Sequence, residues 1–315
     1  MSQKIKISAP AKINLRLKIT GRRSDGYHLL DMVMVKLDLC DEIDFEIEKK
    51  SPHAPLCQRG ETPPLVGGDF QIPLDSSNTL WKVAQLVREE SGQKFELKIS
   101  LNKNIPIAAG LGGGSSDAAA LLIALNRELG LDWSRERLMK ICLKIGADVP
   151  FFLAEGPQRV TGIGEILEPI SVPSLSVILI NPGFSVSTKE VYHWFDLEIV
   201  ETGDSGRAPA RAQRVSTGGR NPRQDPPLVA LTEVGIDAIP PLLENDLEKV
   251  VFSRYPVLAE MKEMLMKAGA LGALMSGSGG TVFGLFESAA SRDRGFDLMV
   301  QKKNPEWWVW KGRSL

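Results

Sequence analysis

Along the first hundred residues apolar side chains recur at every second position. Ile5 and Ile7 alternate with Lys4 and Lys6. Leu15, Leu17 and Ile19 alternate with Arg16 and Lys18. Ile43, Phe45 and Ile47 alternate with Asp44, Glu46 and Glu48, and Phe95, Leu97, Ile99 and Leu101 repeat the pattern. A period of two predicts strands with one buried face. Elsewhere the period changes. Asn78 is a good N-cap for a helix over 79–90. Ala118, Leu121, Leu122, Leu125 and Leu129 fall on one helical face, with Gly130 as the stop. Ser134 predicts the start of another helix, running to about Ile145. Strands and helices mix without a regular βαβ repeat, which predicts an α+β fold.

A second part of the chain is expected from about Pro169, giving 1–168 and 169–315. It should hold a strand at 177–180, a helix at 256–268 ended by Gly269, and strands at 271–275 and 281–286 around a glycine turn. A last strand is expected at 307–310. The stretches 51–75 and 201–227 are rich in Pro and Gly; the second, poor in apolar residues, is expected to be a disordered insertion.

Composition adds little beyond exclusions. The 315 residues leave room for a real core, and 38 basic against 39 acidic side chains give no excess charge pointing to nucleic acid or a membrane surface. Cys40, Cys57 and Cys142, with His28, His53 and His193, are scattered without metal-ligand spacing, so no protein metal site is expected. The N-terminus lacks the apolar core of a signal peptide, and no segment has the length of a membrane span. A cytoplasmic protein is expected.

One stretch changes the picture. PIAAGLGGGSSDAAA (106–120) lies between the strand at 95–101 and the helix expected from Ser115. Gly110, Gly112, Gly113 and Gly114 permit unusual φ angles and a close approach of backbone to a ligand. Their N–H groups, with the positive end of the helix, suit an anion. Ser115 and Ser116 add hydroxyls. The loop has neither the GK[ST] of a Walker A loop nor a GxGxxG. A phosphate cradle for ATP is the expectation, made of Pro106, Ile107, Ala108, Ala109, Gly110, Leu111, Gly112, Gly113, Gly114, Ser115 and Ser116. Asp117 reads as a helix-start residue, because a carboxylate facing phosphates would repel them.

Here the chain resembles the GHMP kinase superfamily. Three blocks carry the likeness: PAKINL (10–15), the loop itself, and MSGSGGTVF (275–283). The resemblance implies an α+β, two-domain fold: an N-terminal ATP domain like the second domain of ribosomal protein S5, and a C-terminal ferredoxin-like α/β sandwich domain. GRRSDGYHL (21–29) and GADVPFF (146–152) narrow the likeness. They resemble the branch that phosphorylates a cytidine-diphosphate-linked sugar alcohol in the non-mevalonate isoprenoid pathway.

The resemblance implies roles for single residues. Asp148 would take the proton of the acceptor hydroxyl, and Lys12 would hold that hydroxyl and offset charge in the transition state. Asn14 would orient the acceptor. Tyr27 would stack on cytosine and His28 would hydrogen-bond it, with Tyr192 as the second stacking ring and Phe184 the alternative. Lys103 and Asn78 would lie near the nucleotide, although an exposed lysine and a helix cap read almost as well. Arg22 and Arg23 reach the substrate diphosphate or merely solvate a turn. Mg²⁺ is expected to arrive with ATP, touched by Ser116. Two other readings stand beside this one. A kinase for homoserine or a mevalonate-type acid would need no nucleobase pocket. An ATP-binding sensor without catalysis would not need both Lys12 and Asp148.

Overall fold

Two long strands open the chain, β1 (Lys4–Arg22) and β2 (His28–Lys49). The computed structural model describes residues 4–49, 65–66, 78–202 and 235–315. The stretch expected to be irregular at 51–75 therefore falls almost wholly outside the described residues. So does the expected insertion at 201–227, apart from its first two residues. Contacts divide the chain into two compact units. The first takes Met1–Ala11, Leu39–Ile107 and Gly112–Ala154; the second takes Lys12–Asp38, Ala108–Leu111 and Glu155–Leu315.

In the first unit, residues 42–49 of β2 pair antiparallel with β4 (Phe95–Asn102), and β3 (Leu65–Val66) pairs parallel with β4. Phe95, Leu97, Ile99 and Leu101 are all buried, as their alternation requires. Three helices pack together in this unit. In α1 (Thr79–Ser91) the Asn78 side chain accepts from the Leu80 N–H at 2.9 Å, and Gly92 closes the helix at φ 67°. α2 (Gly113–Leu129) begins two residues before the expected Ser115 and ends at Gly130, φ 65°. Its Leu121, Leu122 and Leu125 have no exposed surface, each burial being worth about 1.5–3 kcal/mol. α3 (Arg135–Ile145) is capped by Ser134.

In the second unit, residues 30–34 of β2 pair antiparallel with β5 (Gln158–Gly162), which pairs with β6 (Ile166–Pro169). Arg16 and Leu17 of β1 pair parallel with β8 (Glu244–Asn245). An ion network, buried at Arg16 and Asp31 and open to solvent at its ends, holds this region. Arg16 reaches Asp31 at 3.3 Å and Glu244 at 3.2 Å, while Arg159 donates to both oxygens of Asp31 at 3.0 and 3.2 Å.

A separate antiparallel sheet in this unit has the order β11–β7–β10–β9. Its strands are β7 (Ser176–Asn181), β9 (Gly272–Met275), β10 (Val282–Phe286) and β11 (Trp308–Arg313). The helices α6 (Pro256–Lys267) and α7 (Ala289–Lys302) pack against it. They come close because glycine leaves room: a Cβ at Gly295 would stand 2.7 Å from the Phe286 ring. α5 (Glu248–Arg254) leads into α6. Several elements were not anticipated from the periodicity, among them α4 (Thr188–Thr202), α5, α7, β8 and the β5–β6 hairpin.

Candidate active site

The glycine-rich stretch divides between the two units: 108–111 belong to the second and the flanking residues to the first. Three residues take the left-handed backbone, Ala108 at φ 49°, Gly110 at φ 78° and Gly112 at φ 70°. Only glycine does this without strain.

In the second unit the loop residues are bound at several points. Leu111 O accepts from the Lys12 N–H at 2.9 Å, and Ala108 O accepts from the Val186 N–H at 3.4 Å. Ser276 Oγ donates to Gly110 O at 2.9 Å. A Cβ on Gly110 would lie 2.0 Å from Ser276 O, so only glycine fits between the loop and the turn at 276–280. That turn is itself pinned. Asn245 donates to Met275 O and Gly277 O at 2.8 and 2.9 Å, and Asn181 donates to Gly280 O at 2.8 Å. Neither asparagine stood out in the sequence, since each precedes a loop where Asn is common.

Lys12 and Asn14 point to the same side of β1, as a spacing of two requires. The ammonium of Lys12 donates to Asn14 Oδ1 at 2.5 Å. A Cβ on Gly277 would come within 3.2 Å of Lys12 Nζ, so the turn leaves room for the ammonium. Both side chains are nearly inaccessible, at 3% and 1% exposure, which marks them as held groups rather than solvated ones.

In the first unit α2 opens at Gly112 without a side-chain cap. Its first N–H groups are thus left to whatever faces them. Gly114 O accepts from Thr79 Oγ1 at 3.0 Å, fixing the first turn of α2 to the start of α1. The hydroxyl of Ser116 is buried and has no partner among the described residues. Asn78 caps α1, the plainer of the two roles open to it.

Lys103 is not the exposed lysine that was one of its readings. Its ammonium is buried between two carboxylates, bonding Asp41 and, at 2.9 Å, Asp117. It also stands 3.0 Å from where a Gly113 Cβ would be, directly under the loop backbone. Asp41 Oδ1 accepts from the N–H groups of Asn104 and Ile105 at 2.7 and 2.8 Å, fixing the chain as it leaves β4. Two carboxylates thus share one ammonium. Burial and the neighbouring Asp41 push Asp117 up to about 7, against the pull of Lys103; the two carboxylates together hold Lys103 above its ordinary value. Asp41 looks in sequence like any polar alternate of a strand, and its partner is 62 residues away.

Asp148 lies half-buried in the turn after α3, where Val149 N–H donates to Gly146 O at 3.2 Å. A short 3-10 turn with Phe151 and Phe152 buried follows it.

Elsewhere in the second unit, Tyr27 is 59% exposed, the most open large apolar side chain among the described residues. His28 stacks on Tyr192 with ring centroids 4.8 Å apart, so one face of Tyr192 is taken by His28. Asp196, four residues after Tyr192 on α4, bonds His28 Nε2 at 2.8 Å and Arg22 at 3.0 Å. Arg22 is therefore anchored to the protein, and Arg23 pairs with Asp25. Phe184 lies against Tyr255, ring centroids 5.0 Å apart.

Comparison with known proteins fits this arrangement. The family described as GHMP kinases N terminal domain matches residues 78–156, and the one described as GHMP kinases C terminal matches 231–299. A 4-diphosphocytidyl-2-C-methyl-D-erythritol kinase of Geobacter sp. (strain M21) is 42% identical over 90% of both chains. One of Geobacter metallireducens is 40% identical over 98% of both. A crystal structure of 4-(cytidine 5'-diphospho)-2C-methyl-D-erythritol kinase superposes with a TM-score of 0.69 at 29% identity, covering 98% of this chain and 99% of that one. The L. major mevalonate kinase, at 17% identity and a TM-score of 0.68, shares the fold. The α+β architecture, the matched N- and C-terminal parts and the relatives agree: the chain belongs to the 4-diphosphocytidyl-2-C-methyl-D-erythritol kinase family of the GHMP kinases.

Proposed function

We propose that this chain transfers the γ-phosphate of ATP to the 2-hydroxyl of 4-diphosphocytidyl-2-C-methyl-D-erythritol. The products are the 2-phosphate and ADP, in the non-mevalonate route to isoprenoid precursors. The observation that carries this is the identity of 40–42% to kinases of that name over 90–98% of the chain.

The chemistry needs an aligned hydroxyl, a neutralised triphosphate and a proton acceptor. The uncapped start of α2 offers N–H donors to the phosphates, and residues 106–116 follow their surface. Lys103 supports that backbone from below, and Asn78 sets the neighbouring helix. Mg²⁺ bound with ATP would offset phosphate charge; the buried hydroxyl of Ser116, without a partner among the described residues, is a group that would fit it. Asp148 receives the proton of the acceptor hydroxyl. Lys12 places its charge by the transferring group, and Asn14 holds that ammonium and orients the acceptor. Tyr27 and Tyr192 stack the cytosine and His28 bonds its edge. Residues 1–168 carry the nucleotide, the catalytic pair and the acceptor contacts Asn14, Tyr27 and His28, and residues 169–315 complete the substrate side with Tyr192. The protein works in the cytoplasm on a small molecule and takes no nucleic acid; no described helix is long and apolar enough to cross a membrane.

Steady-state assays with three acceptors test the reading. Turnover is expected with the cytidyl substrate and not with homoserine or mevalonate. Turnover on either of those, and none on the cytidyl substrate, would reverse it.

A further inference from the structure

The contact between His28 and Asp196 carries consequences beyond packing. His28 Nε2 lies 2.8 Å from Asp196 Oδ1, and the other oxygen of Asp196 pairs with Arg22 at 3.0 Å. An ionised carboxylate can only accept, so the ring nitrogen facing it carries the proton. Arg22 offsets the charge of that carboxylate, so the bond requires no second proton on the ring. Nδ1 is then the bare nitrogen, an acceptor, and it has no partner among the described residues. Turning the ring over about Cβ–Cγ would put a carbon where each nitrogen stands and break the bond to Asp196, and the packing opposes it. Tyr192 covers one face at 4.8 Å, and Phe195 meets its edge at 6.4 Å. Tyr192 and Asp196 are one turn apart on α4, so a single helix both clamps the imidazole and sets its proton.

We propose that Asp196 is a positioning residue for base selection: by holding His28 as the Nε2–H tautomer, it presents an acceptor that favours cytosine over uracil. The inference rests on the reading that His28 meets the base edge. Cytosine offers an amino group at its fourth position, which donates. Uracil offers a carbonyl there, which can only accept and would face the lone pair of Nδ1. With the tautomer reversed, Nδ1–H would donate, and the preference would turn toward the carbonyl. The same second-layer logic fixes histidine tautomers elsewhere, where a carboxylate on one nitrogen decides what the other can do.

Asp196→Asn tests this, because an amide can either accept from Nε2–H or donate to Nε2, and so stops enforcing one tautomer. Kinetics are measured at saturating ATP with the cytidine-linked substrate and with its uridine-linked counterpart. The expected result is a fall of about tenfold in the cytidine-over-uridine ratio of kcat/KM, the size of one lost hydrogen bond. The loss should be carried by KM for the acceptor, with KM for ATP unmoved; a purely structural role would not alter the ratio between the two bases. His28→Ala separates the layers. If His28→Ala abolishes base preference and Asp196→Asn leaves it intact, the tautomer inference falls while the base-edge reading stands. If His28→Ala itself leaves acceptor KM and base preference unchanged, both fall. ¹⁵N NMR of histidine-labelled wild-type protein above pH 8 gives a result independent of any variant. Protonated Nε2 and bare Nδ1 at His28 are expected, and a proton on Nδ1 overturns the proposal.

Discussion

Ser276 donates its hydroxyl proton to the carbonyl of Gly110 at 2.9 Å, while its own carbonyl stands 2.0 Å from where a Gly110 side chain would begin. The glycine turn at 276–280 and the glycine-rich loop therefore meet backbone to backbone. The ammonium of Lys12 lies at the same junction, 3.2 Å from the Cβ position of Gly277.

Gly110→Ala should fail on two counts, steric overlap with Ser276 O and a φ of 78° that alanine resists. A loss of at least about 2 kcal/mol is expected, together with nearly all turnover. Chemical denaturation and a coupled ADP assay measure the two. A stable, active alanine variant would show that the junction rearranges freely.

Gly114→Ala separates ligand approach from packing. Here a Cβ would meet only Thr79 Oγ1, at an ordinary 3.7 Å, and the residue lies in the first turn of α2. Stability should stay within about 0.5 kcal/mol of wild type or rise slightly. KM for ATP should nevertheless increase at least tenfold if phosphates pass close to this backbone. An unchanged KM would place the phosphates away from Gly114.

The group Asp41, Lys103 and Asp117 predicts a pH dependence. Asp117 is raised from 3.8 to about 7, so the folded protein holds this proton more tightly than the unfolded chain. The stability it contributes is full below about 3.8 and is lost as pH rises through about 7. Asp117→Asn keeps an oxygen for Lys103 but has no proton to lose. Its stability should therefore fall less than that of wild type between about pH 5 and pH 8, read from urea midpoints. Parallel curves would mean the proton resides elsewhere. Lys103→Met, which leaves the buried Asp41 carboxylate without its counter-charge, should cost about 3–5 kcal/mol by the same midpoints.

Asp148→Asn should bind ATP and acceptor with near wild-type affinity by titration calorimetry. Turnover should drop about 10²- to 10⁴-fold, the usual contribution of a positioned general base. Near-normal turnover would remove Asp148 from that role.

The sequence was most readable where one physical cause acts alone. Alternation found β4, because Phe95 to Leu101 bury one face and solvate the other. Asn78, Ser134 and Gly130 marked helix ends because capping is local. β1 was read as two pieces because residues 11–17 are buried on both faces, which erases alternation; Lys12, Asn14 and Arg16 occupy positions where apolar residues would be expected. α4 and α7 were missed because charged residues interrupt their apolar stripes, as in the run SRDRGFD. At the site, the glycines of 110–114 were legible as positions of unusual backbone, because Gly110 and Gly112 do take positive φ. Asp196 was not, since it stands 168 residues from the His28 it holds. Lys103 was legible as important yet not as buried, because nothing local announces Asp41.

The ion network around Arg16 acts as a proofreader of alignment. Arg16 lies two residues beyond Asn14 and four beyond Lys12 on the same strand, and it meets Asp31 of β2 and Glu244 of β8 in one register only. A slip of β1 by a single residue would turn its three polar side chains to the opposite face and leave a guanidinium in apolar surroundings with no counter-charge. The aligned strand is thus separated from its nearest competitors by an electrical imbalance as well as by fit. The position of the Lys12 ammonium is fixed by that alignment before any ligand arrives.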